Sequence, residues 1–135
     1  MTDIEKMQQW LRSYPGWEDH LQIDATEPAP GNAALFCDGL EERSRQEDVL
    51  GNLHIACRYR FTLYRRACRD AENAVWLLEF QNWVQTQSAL GLAPRFGDIP
   101  HLERMQAQKG ILKDRSQTAL YTVTLTADFT RIYER

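Results

Sequence analysis

Three histidines, His20, His54 and His101, are the side chains best suited to acid–base or metal chemistry near neutral pH. They lie in three separate segments. None has the spacing of a zinc-protease helix, and none partners a serine in a nucleophile elbow. Cys37, Cys57 and Cys68 form an odd set with neither zinc spacing nor a CxxC pair. They read as reduced thiols that behave as small apolar residues. His54, His101 and Cys57 could be combined into a metal site. However, an odd separation on a strand sends His54 and Cys57 to opposite faces. No glycine-rich phosphate cradle of the P-loop or dinucleotide kind occurs. The expectation is a chain with no catalytic residue, no metal ligand set and no cofactor.

Charge is the sharper signal. Glu41, Glu42, Glu47 and Asp48 crowd one stretch, residues 39–52. Paired acids catalyse only when held rigidly at a defined separation. This stretch lacks apolar surface to bury, so it is expected to be an exposed loop. Arg58, Arg60, Arg65, Arg66 and Arg69 form a basic cluster, in which Arg58, Arg60 and Arg66 bracket Tyr64 on one strand face. Arginines interleaved with an aromatic ring can bind nucleic acid. They can equally form planar, bidentate pairs with carboxylates of a neighbouring subunit. A formal charge of -3 lacks the basic footprint of a nucleic-acid binder, which favours the subunit contact. A solvated edge pairing with the chain's own acids is the competing reading. Trp10, Trp17, Trp76 and Trp83 suit core packing or interface anchoring.

The elements that would position these groups follow from hydrophobic periodicity. Ile4, Met7 and Leu11, with Trp10 beside them, predict a helix over residues 3–12, capped by Thr2 or Asp3 and stopped at Tyr14-Pro15-Gly16. Short strands are expected at 17–24 and 33–38, with a Pro/Gly loop at 27–31 between them. Residues 53–66 alternate clearly. Leu53, Ile55, Cys57, Tyr59, Phe61 and Leu63 share one face, and His54, Arg58, Arg60, Thr62, Tyr64 and Arg66 the other. Asp70 starts a second helix whose body is 71–86; Ala74, Leu77, Leu78, Phe80 and Val84, widened by Trp76 and Trp83, make its apolar stripe. Residues 91–100 form a loop. Residues 101–114 suit a strand or a helical turn, and strand is the choice. Residues 118–133 form a final strand with threonines along its wetter face.

Helix, strands, helix, strands is the pattern of an α+β fold: an antiparallel sheet with two main helices packed on one face. The length of 135 residues suits one domain spanning 1–135. The N-terminal residues show no signal peptide, and no apolar run is long enough to cross a bilayer. No membrane association and synthesis in the cytoplasm are therefore expected.

The second half carries a recognisable pattern: Phe80, Trp83, Val84 and Gln87; then Phe96-Gly97-Asp98-Ile99-Pro100; then Met105-Gln106-Ala107 and Gly110-Ile111-Leu112. A closing strand from Ala119 to Leu125 ends in Ile132-Tyr133. With the amphipathic helix around Trp10 and the strand leading to Phe61, this resembles short virion-assembly proteins of tailed phages and Firmicutes prophages. The resemblance is to the minor capsid or tail terminator kind. It implies a structural protein rather than an enzyme. Such a subunit would form a ring, possibly a hexamer, at the end of the tail tube, stop tube growth and offer a docking surface to the head. Its partners would be itself, the tail tube protein and a head-completion or connector protein, with nucleic acid not expected. It would act in the bacterial host cytoplasm during assembly and then in the virion at the head–tail junction. On this reading Arg58, Arg60, Tyr64 and Arg66 would meet Glu41, Glu42, Glu47 and Asp48 of a neighbouring subunit. The alternatives are a head–tail connector or tail-completion subunit and, from another class, a small ligand-binding domain or enzyme with a pocket under the 91–100 loop.

Overall fold

The computed structural model describes residues 1–17, 23–24, 33–66, 70–113 and 120–135. The expected loop at 27–31, His20, Cys68 and Arg69 lie outside the described residues, as do the side chains of Arg66 and of a few other strand and helix residues. The element order is α1 (Asp3–Arg12), β1 (Ile23–Asp24), β2 (Ala33–Glu47), β3 (Leu53–Arg66), α2 (Asp70–Ala89), a 3₁₀ turn (Pro100–Leu102), β4 (Arg104–Lys113) and β5 (Leu120–Tyr133).

The strands form one sheet in the order β1-β2-β3-β5-β4. The four long strands pair antiparallel, and the two residues of β1 add a short parallel pairing at one margin. The axis of the sheet is β3 against β5, in continuous register from Leu53↔Tyr133 to Arg66↔Leu120. Their alternation turns Phe61, Leu63, Val123 and Leu125 inward, all fully buried. Both helices lie on that face, as the sequence pattern implies. Met7, Trp10 and Leu11 of α1 and Phe80 and Val84 of α2 join the strand residues in one core. Trp10 stacks on Trp83 at 4.8 Å, and its indole N–H donates to the Gln87 side chain at 3.1 Å. That contact joins the two helices directly.

The start of α1 is built as its sequence suggests. The Thr2 hydroxyl accepts from the Glu5 amide at 3.1 Å, satisfying one of the free N–H groups of the first turn. Tyr59 donates its hydroxyl hydrogen to Asp3 at 2.6 Å, and Arg131 reaches both groups. The N-terminus of α1 is thereby tied to the axis of the sheet.

Two expectations need correction. β2 does not end near residue 38. It runs to Glu47 and pairs with β3 over its whole length, so the acidic stretch is strand and only residues 48–52 form a turn. From Cys37 onward β2 is partly or fully exposed, so apolar burial does not hold it; backbone pairing and cross-strand side-chain contacts do. Irregularities between Cys37 and Gly39 and between Glu42 and Ser44 each shift the register, and Gly39 takes φ 127° at the first. The second correction concerns α2. Ala74 and Leu78 face solvent, Leu78 at 66% exposure; the expected Phe80, Val84 and Trp76 do face inward, and Asn73 joins them.

The Phe96–Pro100 segment straps the end of the sheet. The Asp98 amide donates to the Thr130 carbonyl at 2.8 Å, and the Asp98 carboxylate accepts from the Ile132 amide at 2.8 Å. Between Phe96 and Asp98 the chain passes so close to β5 that a Cβ on Gly97 would collide with the Thr130 backbone. The obstacle is backbone and cannot swing aside. Gly97→Ala is expected to cost about 1–3 kcal/mol through overpacking, measured as a lower urea midpoint at unchanged slope.

Candidate functional site

The sheet face opposite the helices is uncovered by any helix among the described residues. It is polar, and its charges are arranged by strand register. Glu41 lies across from Arg58, and Arg58 across from Asp128. The Arg58 guanidinium forks onto the Asp128 carboxylate, with Nε–Oδ1 at 2.6 Å and Nη2–Oδ2 at 3.0 Å. Bidentate geometry of this kind fixes both side chains. This contact also holds the Arg58 guanidinium above the usual arginine range. Arg60 reaches diagonally to Glu41 at 3.3 Å. Thr62 donates to Asp38. Tyr64 meets Phe36 edge-on at 5.3 Å.

The acids and bases expected to meet across a subunit boundary are therefore brought together within one chain. β2 and β3 are neighbours, which makes the acidic strand the natural partner of the basic one. Glu42 pairs with Arg45 at 2.7 Å on the other face of β2. Asp48 pairs with His54 at 3.0 Å. Glu47 is the exception among the acids: it is exposed and makes no ion pair among the described residues. The backbone of Arg66 ends β3 opposite Leu120.

The turn joining β2 to β3 is built on Asp48. Its Oδ1 accepts from the amides of Leu50 and Asn52, both at 2.9 Å. The His54 hydrogen bond, together with these amides, holds its carboxyl below the usual carboxylate range. The Asp48 carbonyl accepts from Gly51, which adopts φ 84°. The Asn52 side chain accepts from the Arg135 amide at 3.2 Å. This fastened turn presents Val49 and Leu50 outward at 102% and 76% exposure. Neither was singled out by pattern, although an aspartate three residues before a glycine signals such a turn. Asp128 was visible only as one polar residue on a threonine-rich face; its pairing follows from register alone.

The other candidate chemistry stays apart. His54 lies on the open face and Cys57 in the core, as alternation requires; Cys37 and Cys57 are both free thiols. His101 sits on the exposed 3₁₀ turn. Among the described residues no group of three or more His, Cys, Asp or Glu side chains is arranged to hold a metal ion. No helix among them is long and apolar enough to cross a membrane.

The small cavity beneath the 91–100 loop is about 30 Å³, room for a water or two; Gly91 and Pro100 of the same loop also border an open groove of about 890 Å³ between α2 and β4. Phe96 lines this cavity and is itself buried in the core. Glu103 holds the loop by accepting from the Phe96 amide. Burial pushes its carboxyl up, against the amides of Phe96 and Gly97 that favour the charged form.

Two outcomes test this geometry. Removing Arg58 leaves Asp128 half-buried and unpaired, so Arg58→Ala is expected to cost about 1–2 kcal/mol. The double variant R58A/D128A recovers part of that loss in a double-mutant cycle. For Glu103 the folded carboxyl titrates above the ordinary glutamate value of 4.5. Its contribution is therefore fully present below that value and is lost as pH rises through the folded value. Glu103→Gln removes this dependence while keeping an acceptor for Phe96. Urea unfolding should find wild type losing stability relative to E103Q across the window above pH 4.5.

No protein-family model matches the chain, and no curated protein matches it significantly. Geometry and sequence pattern carry the functional reading.

Proposed function

We propose that this chain is a non-catalytic assembly subunit of a phage or prophage particle, acting as a tail terminator. It forms a ring on the end of the tail tube, stops its growth and provides the surface on which the head docks. The observation that carries this reading is the part played by the residues that make the resemblance. Gln87 accepts from Trp10 between the helices. Gly97 and Asp98 strap the end of β5. A Cβ at Gly110 would collide with the Tyr121 ring. Each of these motif residues holds the scaffold together. What remains at the surface is a polar sheet face and the exposed tip of the β2–β3 hairpin, which are features suited to contact with other proteins.

The charged groups on the open face support the same reading in modified form. Arg58, Arg60 and Glu41 already have partners in the chain, so this face meets a neighbour as a fixed, charge-balanced surface. Such surfaces favour specificity over raw affinity.

The test is electron microscopy of polymerising tail-tube protein with and without the chain. A terminator caps one end of each tube and gives a defined length. Binding to the portal side with tubes left uncapped would instead assign a connector. Binding to neither would end the proposal.

A further inference from the structure

Glu103 joins the start of β4 to the segment that straps the end of the sheet. Its Oε1 accepts from the Phe96 amide. Its Oε2 is buried and has no hydrogen-bond partner among the described residues. Glu103 also lines the cavity of about 30 Å³, together with Ser88, Phe96 and Met105. A buried carboxylate oxygen with no donor disfavours the charged form, whereas the neutral acid carries a donor of its own.

The strap is fastened by few other contacts. Residues 90–99 belong to no helix or strand. Asp98 grips β5 through the Thr130 carbonyl and the Ile132 amide. The Arg95 carbonyl accepts from Lys6 of α1 at 3.3 Å, and the Phe96 carbonyl accepts from Arg131 at 3.4 Å. A segment held this sparsely can open while the sheet stays folded.

The surrounding charges leave the bias in place. Burial, the largest influence, pushes the Glu103 carboxyl up against the amides of Phe96 and Gly97 and the cations Arg95 and Lys6. Lys6 is shared with Asp3 and with the Arg95 carbonyl. Arg104 and Asp128 border the same cavity, but both side chains lie on the open sheet face, where Asp128 is taken by Arg58. Arg131 is engaged by Asp3 and Tyr59. From α2 the lining receives Ser88 and no charged group.

We propose that Glu103 is a proton-operated latch on the Phe96–Pro100 strap. Protonated, it accepts from the Phe96 amide and holds the strap closed at no electrostatic cost. Ionised, it buries a negative charge, which is relieved when the strap lifts and water reaches Oε2; the proton is released to solvent. Closure is therefore favoured below the ordinary glutamate value of 4.5, and opening increases as pH rises through the closed-state value. Lifting the strap also parts the contacts of Arg95 with Lys6 and of Phe96 with Arg131. The latch is independent of the assembly role.

Amide exchange followed residue by residue by NMR on the intact chain tests it. With intrinsic exchange rates divided out, protection at Phe96, Gly97 and Asp98 is expected to fall several-fold from pH 4.5 upward, while β3 and β5 amides hold. Glu103→Gln places a neutral donor where Oε2 stands and should keep the strap protected throughout. Glu103→Leu should leave it open throughout. The β3 and β5 amides report in the same spectra that each variant is folded. Equal pH dependence in wild type and E103Q overturns the latch. So does constant protection in wild type, the result if a resident water donates to Oε2, and that arm decides even where a variant fails to fold.

Discussion

The continuous pairing of β3 with β5 is the constraint on which the rest of the molecule depends. Fourteen residues of each strand run in unbroken register. One face of this ribbon supplies Phe61, Leu63, Val123, Leu125 and Phe129 to the core. Both helices pack there because no other surface offers them comparable apolar area. The same register sets the other face. It places Arg58 opposite Asp128, and with β2 added it brings Glu41 within reach of Arg60. A slip of one residue would exchange the two faces, burying arginine and exposing phenylalanine. The core and the polar surface are therefore specified by one interaction.

The β2–β3 hairpin shows a different balance. Its distal half buries almost nothing, yet it is ordered strand. Three contributions act together: the ladder donated by β3, the cross-strand contacts of Arg60 with Glu41 and Thr62 with Asp38, and the Asp48 turn that closes the end. The two irregularities in β2 and its dense charge also blunt its outer edge, which limits indiscriminate strand addition. The protein thus holds a projecting arm in a fixed shape at little hydrophobic expense.

These contrasts explain what was legible in the sequence. α1, β3 and β5 were readable because their apolar residues recur at helical or alternating spacing, and burial enforces that spacing. The α+β class and the helices on one face followed. The strand at 39–47 was not readable, because pairing and ion pairs hold it, and these leave no apolar signature. The same holds for the candidate surface. The sequence pattern marks Arg58, Arg60 and Glu41 as charges for a neighbouring subunit, whereas a long-range register brings Arg60 and Glu41, and Arg58 and Asp128, together within one chain. Leu78 was misassigned for a related reason: α2 is apolar around most of its circumference, so periodicity could not choose its inward face.

The continuous β3–β5 pairing carries both the core and the polar face. Hydrogen–deuterium exchange of the folded chain tests this most directly. The slowest-exchanging amides are expected in β3 and β5, with the distal half of β2 and the 48–52 turn exchanging faster. Early exchange along β3 and β5, with the distal half of β2 protected longest, would contradict it.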